Sequence, residues 1–539
     1  ARDAGIDLQS SQLFEHQTLR ELGQAMGDLP AGAPAAAALS ERFALAGIAA
    51  ERLAQLLAGR EAEDAYPLSP LQQGFLFDTL AAGKQAVYLE QLTCTLIGEI
   101  DAQTLAGAFQ RSVDHHPSLR TWFAWEDLDR PLSIVASNAP LPVAFDDLRA
   151  LPAEERTARV EALEKLDRET PFDLSRPPLM RLRLMHVEER AWEVAWSHHH
   201  LLMDGWSSPM LVVEVLATYE ALRLGATPVL PETRPFRDYV AWLAGRAALD
   251  AGAAESYFRG YLAGVAGPTP LAADRAADGG APERADFLRI SSVVETDLEL
   301  AVREAGRREQ VSLSVVLATA WALLLAQEAG TDDVLYGISV SGRPPDLAGV
   351  ERIVGCFINA LPVRAKLSPE MGVGDWLRGF QIEQAELIGF SYAPLVEAQR
   401  AAGLPADRGL FDTAFEFWNF PFVQPEGNRT FELMLPDYDV STNLPLSLRV
   451  IPQPGLELQL TYDRRRFDAA TIEHKLRKLE VALSGIAEVA SADSTATLGV
   501  VIERLAALDQ DRLGKAAASV SDVAREKLKA RRRPAASTV

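Results

Sequence analysis

Residues 197–208 read SHHHLLMDGWSS. The chain has eight histidines, and three of them, His198, His199 and His200, stand here in a row. Asp204 and Gly205 follow. Three chemistries suit such a cluster. A metal centre needs three converging donors and an open position; His198, His200 and Asp204 are the candidate ligands. However, no HExxH, distant histidine cluster or cysteine pair accompanies them. A buried turn would need only hydrogen-bonded rings. A general base would use imidazole's ordinary pKa of about 6.5, which lets one proton be accepted near neutrality. Gly205 allows a positive φ and close backbone approach, just before a helix whose first N–H groups are free.

The flanking residues imply what holds this stretch. PLMRLRLMHV (178–187) alternates apolar and polar residues, and WEVAWS (192–197) alternates again with Trp192, Val194 and Trp196 on one face. That pattern predicts a hairpin running directly into the histidines. On a strand His198 and His200 share one face, and His199 takes the other. Beyond them Ser208 is a candidate helix cap with Pro209 at the first position, and Val212, Val215, Tyr219 and Leu222 form the buried stripe.

Farther out, YPLSPLQQGFLFDTL (66–80) predicts a turn between Pro67 and Pro70 and then an amphipathic helix. VYLEQLTCTLIGEI predicts a strand and DAQTLAGAFQRSVDHH a helix begun by Asp101. A second half follows after GATPVLPETRPF. It has a helix over 312–329, strands near 333–341 and 357–366, and a strand pair over 446–462. The whole reads as α/β, in two halves without internal repeats.

At 539 residues the chain is long enough for several units. Its net charge of −22 opposes nucleic acid and anionic membranes, both of which need a cationic footprint. The basic run REKLKARRR (525–533) reads as a solvated linker. Two cysteines, Cys94 and Cys356, lack CxxC spacing and fit a reducing cytoplasm. No apolar run approaches the ~20 residues of a membrane span. The opening ARDAGIDLQS has no signal-peptide layout and no initiator Met, so an excised piece of a longer chain is expected.

HHLLMDG (199–205) fits HHxxxDG and resembles the active-site motif of condensation domains of nonribosomal peptide synthetases. Other segments resemble that family's motifs in its order: YPLSPLQQGFLF, HHPSLRTWF (115–123), PFDLSRPPLMRLRL and DDVLYGISVSGRPPDLAGVERIVGCFINALPVR (332–364), then LFDTAFEFWNF and YDRRRFDAATIE. Residues 1–29 are similar to the last part of a peptidyl carrier domain, without its phosphopantetheine-bearing serine. The implied organisation is a linker with a helix (30–65), an N-terminal lobe (66–235), a C-terminal lobe (236–510) and a linker toward an adenylation domain (511–539).

The resemblance implies two chloramphenicol-acetyltransferase-like lobes in a V-shaped pseudo-dimer, with the active site where a tunnel crosses their interface. The implied reaction is acyl transfer: the amine of an acceptor aminoacyl-carrier attacks a donor peptidyl-carrier thioester. The implied partners are an upstream donor carrier, a downstream acceptor carrier and an adjacent adenylation domain, in antibiotic or siderophore biosynthesis. No cofactor belongs to the domain itself; 4'-phosphopantetheine arms on the carriers deliver the substrates. By position His200 is the residue that accepts or positions the amine proton, and His199 supports it. Asp204 is expected to form a salt bridge with Arg343, and Gly205 to admit the pantetheine. Trp206, Asn359 and Asn443 are expected to line the tunnel. His198 is an extra residue, read as a packed strand position. WEDLDRPLSIV and LLMDGWS look more like the subclass that takes a D-configured donor, although a carrier without an epimerase upstream fits that poorly. A different class, a non-catalytic module that binds carriers or recruits a partner enzyme, would be expected to have a degraded histidine motif.

Overall fold

The computed structural model describes residues 42–511, apart from 84, 251, 273–286, 406–407, 420–430, 435–436, 441–443, 453–454 and 489–496. The carrier-like residues 1–29, residues 30–41 of the first linker, the tail after 511 and Asn443 lie outside the described residues.

The predicted hairpin forms from Met180–Glu188 and Ala191–His199, with His186 opposite Trp192 and Met180 opposite His198. Trp196 and Val194 are both buried, and Trp196 meets Phe109 edge-on at 5.6 Å between ring centroids. Period two then carries His198 onto the same inward face as Trp196, with their rings 5.4 Å apart. On the other side of the histidine strand lies Leu89–Gly98, antiparallel, with Glu90 opposite His198 and Leu89 opposite His199. Val143–Asp147 extends this sheet in parallel beside Met180–Glu188.

The second half builds a six-stranded sheet in the order Asn359–Lys366, Asp333–Val340, Thr413–Phe417, Leu446–Ile451, Glu457–Asp463, Phe287–Val293. Helix Leu313–Ala329 packs into its core. Ser312 caps the helix, Gly330 ends it at φ 64°, and every residue from Val315 to Ala326 is buried. A helix apolar all round has no solvent face to present, which explains its central place. No single described helix is long and apolar enough to cross a membrane.

The two halves are not independent sheets. Phe431–Leu433 and Asp437–Val440, from the second half, pair antiparallel with Leu89–Gly98 in the first. They cover the outer edge of the strand that carries Glu90, an edge that would otherwise expose unpaired N–H and C=O groups. A third, three-stranded sheet joins Ala62–Pro67, Leu132–Ala136 and Thr121–Ala124.

Candidate active site

The histidine strand ends at His199, and residues 200–206 form a loop into helix Ser207–Arg223. Helix Pro70–Ala82 holds that loop from one side. Ser69 and Gln72 form a reciprocal capping box that sets the helix start, and Pro70 occupies its first position. The same Gln72 donates from Nε2 to the Leu201 carbonyl at 2.7 Å. Farther along the helix, Thr79 meets His199, and the Phe75 ring lies 4.8 Å from the His200 ring.

The three histidines have three different environments. His198 is fully buried, and burial holds its pKa down to about 3, with the neighbouring His200 adding to the effect. Its Nε2 stands 3.6 Å from Glu90 Oε2, too long for a hydrogen bond. His199 is also neutral, lowered to about 3 by burial first and then by His200. Its Nδ1 accepts the Leu201 N–H at 3.1 Å, so Nε2 carries the proton and faces Thr79 Oγ1 at 3.3 Å. Both ring nitrogens of His199 are thereby committed to local structure.

His200 differs. Its backbone N–H donates to the Tyr88 carbonyl at 2.8 Å, and its Nδ1 lies 3.0 Å from the Met203 carbonyl. A carbonyl only accepts, so Nδ1 carries a proton, and Nε2 is the nitrogen left to exchange one. That nitrogen lies 3.2 Å from Glu90 Oε1. His200 is 7% exposed, against 0% and 2% for its two neighbours. All three are buried, and His200 is the least so.

The two neutral histidines have a consequence for stability. An unfolded histidine takes a proton at about pH 6.5, whereas buried His198 and His199 refuse theirs until about pH 3. The unfolded state therefore binds more protons in that window, and folding stability is lost as pH falls through it. Melting temperature is expected to drop steadily from pH 6.5 downward, and His199→Gln should flatten the slope by about one proton. A melting temperature constant between pH 6.5 and 5 would contradict the assignment.

Asp204 leaves the histidines and turns to the second half. Its Oδ1 accepts from Ser207 N at 3.1 Å, Ser207 Oγ at 2.9 Å and Arg343 Nη2 at 3.1 Å. Its Oδ2 accepts from Phe357 N at 3.0 Å. Arg343 also donates from Nη1 to the Val350 and Ile353 carbonyls, and its guanidinium lies 4.0 Å from the Phe357 ring centre. Gly342 makes this approach possible. Its φ is +61°, and a Cβ there would stand 1.8 Å from the Phe357 carbonyl oxygen.

Three expectations change at this level. The helix starts at Ser207, not at Pro209, and Ser208 does not cap it: Asp204 accepts the first-turn N–H of Ser207. A carboxylate already anchored by Arg343 takes that donor at no further ordering cost. Gly205 is partly exposed but is not among the glycines with positive φ. Asn359 is buried and its amide is engaged: Nδ2 donates to the Ser391 and Ala393 carbonyls at 2.7 and 2.9 Å, and Oδ1 accepts the Ala360 N–H. It clamps the loop after helix Val373–Gly389. Trp206 is half-buried and donates to the Glu351 carbonyl at 3.2 Å, with its ring 5.8 Å from the Arg343 guanidinium.

Among the described residues, the donor atoms close enough together to hold a metal belong to His115, His116 and Glu214, away from the triplet. There Glu214 accepts from Ser112 Oγ at 2.7 Å and from His116 Nε2 at 2.9 Å. Burial opposes the charge of Glu214, but these bonds outweigh it and keep the carboxyl below its ordinary range. Neither thiol is poised to react: burial pushes Cys94 up to about 12 and Cys356 far above its ordinary value.

Glu90, Gln72 and Thr79 escape a reading of local motifs, because each meets the histidines only through tertiary pairing. For Glu90, the signal available in the sequence is a lone acid at the start of an otherwise apolar and small-polar strand.

The description "Condensation domain" belongs to a family model that matches residues 62–498. The chain belongs to that family. The condensation domain is 34% identical over 429 residues to one component of the linear gramicidin synthase of Brevibacillus parabrevis, covering 79% of this chain and 6% of that protein. It is 32% identical over 405 residues to chondramide synthase cmdD of Chondromyces crocatus, covering 74% and 10%. The chain thus spans a small fraction of the length of these relatives. Among solved structures it is similar to the starter condensation domain of rhizomide synthetase RzmA in complex with C8-CoA. The TM-score is 0.68 at 21% identity, over 84% of this chain and 99% of that one. It is also similar to the X-domain from teicoplanin biosynthesis, solved with OxyB, with a TM-score of 0.65 at 20% identity, over 79% and 95%. These likenesses agree with the α/β fold expected for two chloramphenicol-acetyltransferase-like lobes.

Proposed function

We propose that this condensation domain forms a peptide bond between two carrier-bound substrates. The amine of an acceptor aminoacyl thioester attacks the carbonyl of a donor peptidyl thioester. The C–N bond forms, the C–S bond breaks, and the peptide passes to the acceptor. His200 receives or orients the amine proton at Nε2, while His199 and Asp204 hold the loop and Gly205 leaves it open. Arg343 anchors Asp204. Trp206 lies at the edge of this site. The phosphopantetheine arms belong to donor and acceptor carriers beside an adenylation domain, and the work is done in the cytoplasm.

One observation supports the catalytic reading most directly. The Nδ1 bond of His200 to the Met203 carbonyl leaves Nε2 as the nitrogen free to exchange a proton on the least buried ring of the triplet. A module that merely recruits a partner enzyme has no need of that arrangement. The test loads donor and acceptor carriers with candidate thioesters and reads chain transfer by intact mass. Transfer to the acceptor carrier is expected; no transfer for any donor–acceptor pair would sink the proposal.

A further inference from the structure

The contact between His200 and Glu90 poses a chemical question. With the proton on Nδ1, Nε2 offers a lone pair, and 3.2 Å away stands a carboxylate oxygen, which also offers lone pairs. Two such atoms at that separation attract only when a proton is present on one of them. Glu90 is 2% exposed, so water does little to screen the interaction. Once a proton from the attacking amine reaches Nε2, the contact becomes an imidazolium facing a buried carboxylate.

The other charged and titratable groups around His200 are accounted for. On the strand that leads into it, His198 and His199 are neutral through burial. In its own loop, Asp204 faces Arg343. From the preceding segment, Tyr88 donates its phenol to Asp78 Oδ2 on helix Pro70–Ala82 at 2.6 Å, and burial followed by the Asp78 charge raises it far above its ordinary value. From the second half, Cys356 is kept a thiol by burial, and the charges of Asp204 and Glu90 add to this. Glu90 is the carboxylate within ion-pair distance of Nε2.

We infer that Glu90 is a positioning residue, whose buried carboxylate supplies the counter-charge for the imidazolium of His200. This rests on the proposed condensation reaction. In that reaction the amine nitrogen bonds to the thioester carbon and its proton moves to His200 Nε2. The C–S electrons leave with the donor pantetheine sulfur, and the same proton passes to that thiolate to give a thiol. Glu90 gains and loses nothing covalently; it stabilises the intermediate charge through His200. Its place is set by strand register, since Glu90 pairs with His198 and its side chain lies on the face shared by His198 and His200.

The test compares wild type, Glu90→Gln and Glu90→Asp in single-turnover transfer between preloaded carriers. Removing the anion removes the counter-charge of the imidazolium. Glu90→Gln is therefore expected to lower the maximal rate by ~10–100-fold, with the acceptor KM unchanged. Glu90→Asp withdraws the carboxylate by one methylene and should show a smaller rate loss. In a His200→Ala background Glu90→Gln should cost nothing further. A wild-type rate in either folded variant, or a full additional loss in the His200→Ala background, overturns the inference. Should Glu90→Gln fail to fold, the same-charge aspartate variant decides by the same reading. Absence of transfer in the wild type is a different result, and it refutes the condensation reading itself.

Discussion

Alanine at His200 is expected to lower chain transfer by ~10²–10⁴-fold, the range a general base ordinarily contributes, while carrier binding is retained. The ring supplies one proton acceptor, Nε2, because Nδ1 is bound to the Met203 carbonyl. Its removal should not unfold the loop, which keeps Gln72 on Leu201 and the Asp204 clasp. Single-turnover transfer between preloaded carriers measures the effect, with carrier affinity as the control. The size of the residual rate discriminates between two roles. Alignment of two tethered reactants is itself worth effective molarities of ~10⁵–10⁸ M, and His200→Ala leaves the carriers in place. A loss below about tenfold would assign the rate to alignment and His200 to orienting the amine. Full loss of carrier binding would instead point to a recruiting module.

The second large effect concerns the clasp between the halves. Arg343→Met removes a side chain only 5% exposed from an aspartate only 3% exposed. Breaking one side of such a buried pair typically costs about 3–5 kcal/mol. Here Ser207 and Phe357 still donate to Asp204, which places the expected loss toward the lower end of that range. The Val350 and Ile353 carbonyls also lose their donor. Urea unfolding should show the midpoint falling, and transfer should fall with it because the histidine loop loses its anchor. Asp204→Asn should behave similarly by leaving the arginine uncompensated. A loss under about 1 kcal/mol in both variants would mean that the pair is no stronger than a surface bridge.

Much of this site can be read from local sequence. HHLLMDG names His200, and the alternation of WEVAWS carries the strand into it. YPLSPLQQGF carries its own capping box, and SGRPP marks an arginine beside a glycine that must turn. These are properties of neighbouring residues, for which periodicity and turn chemistry suffice. The same reasoning misplaced the helix start by assigning the cap to Ser208. Ser208 is a reasonable cap by type, but it does not see that Asp204 is held from 139 positions away.

Sequence by itself determined the family and the α/β class, and it singled out His200 as the histidine proposed to handle the proton. Tertiary structure decided how the three histidines differ. Burial, a property of packing, makes His198 and His199 neutral, and local hydrogen bonds commit His199. Strand pairing decides that Glu90 stands against His200, because register and not spacing along the chain brings Leu89–Gly98 beside Ala191–His199. Likewise, Phe431–Leu433 and Asp437–Val440 reach across from the second half to cover that strand's edge. Local pattern specifies which residues are capable of chemistry; only long-range pairing sets the charge that each of them faces.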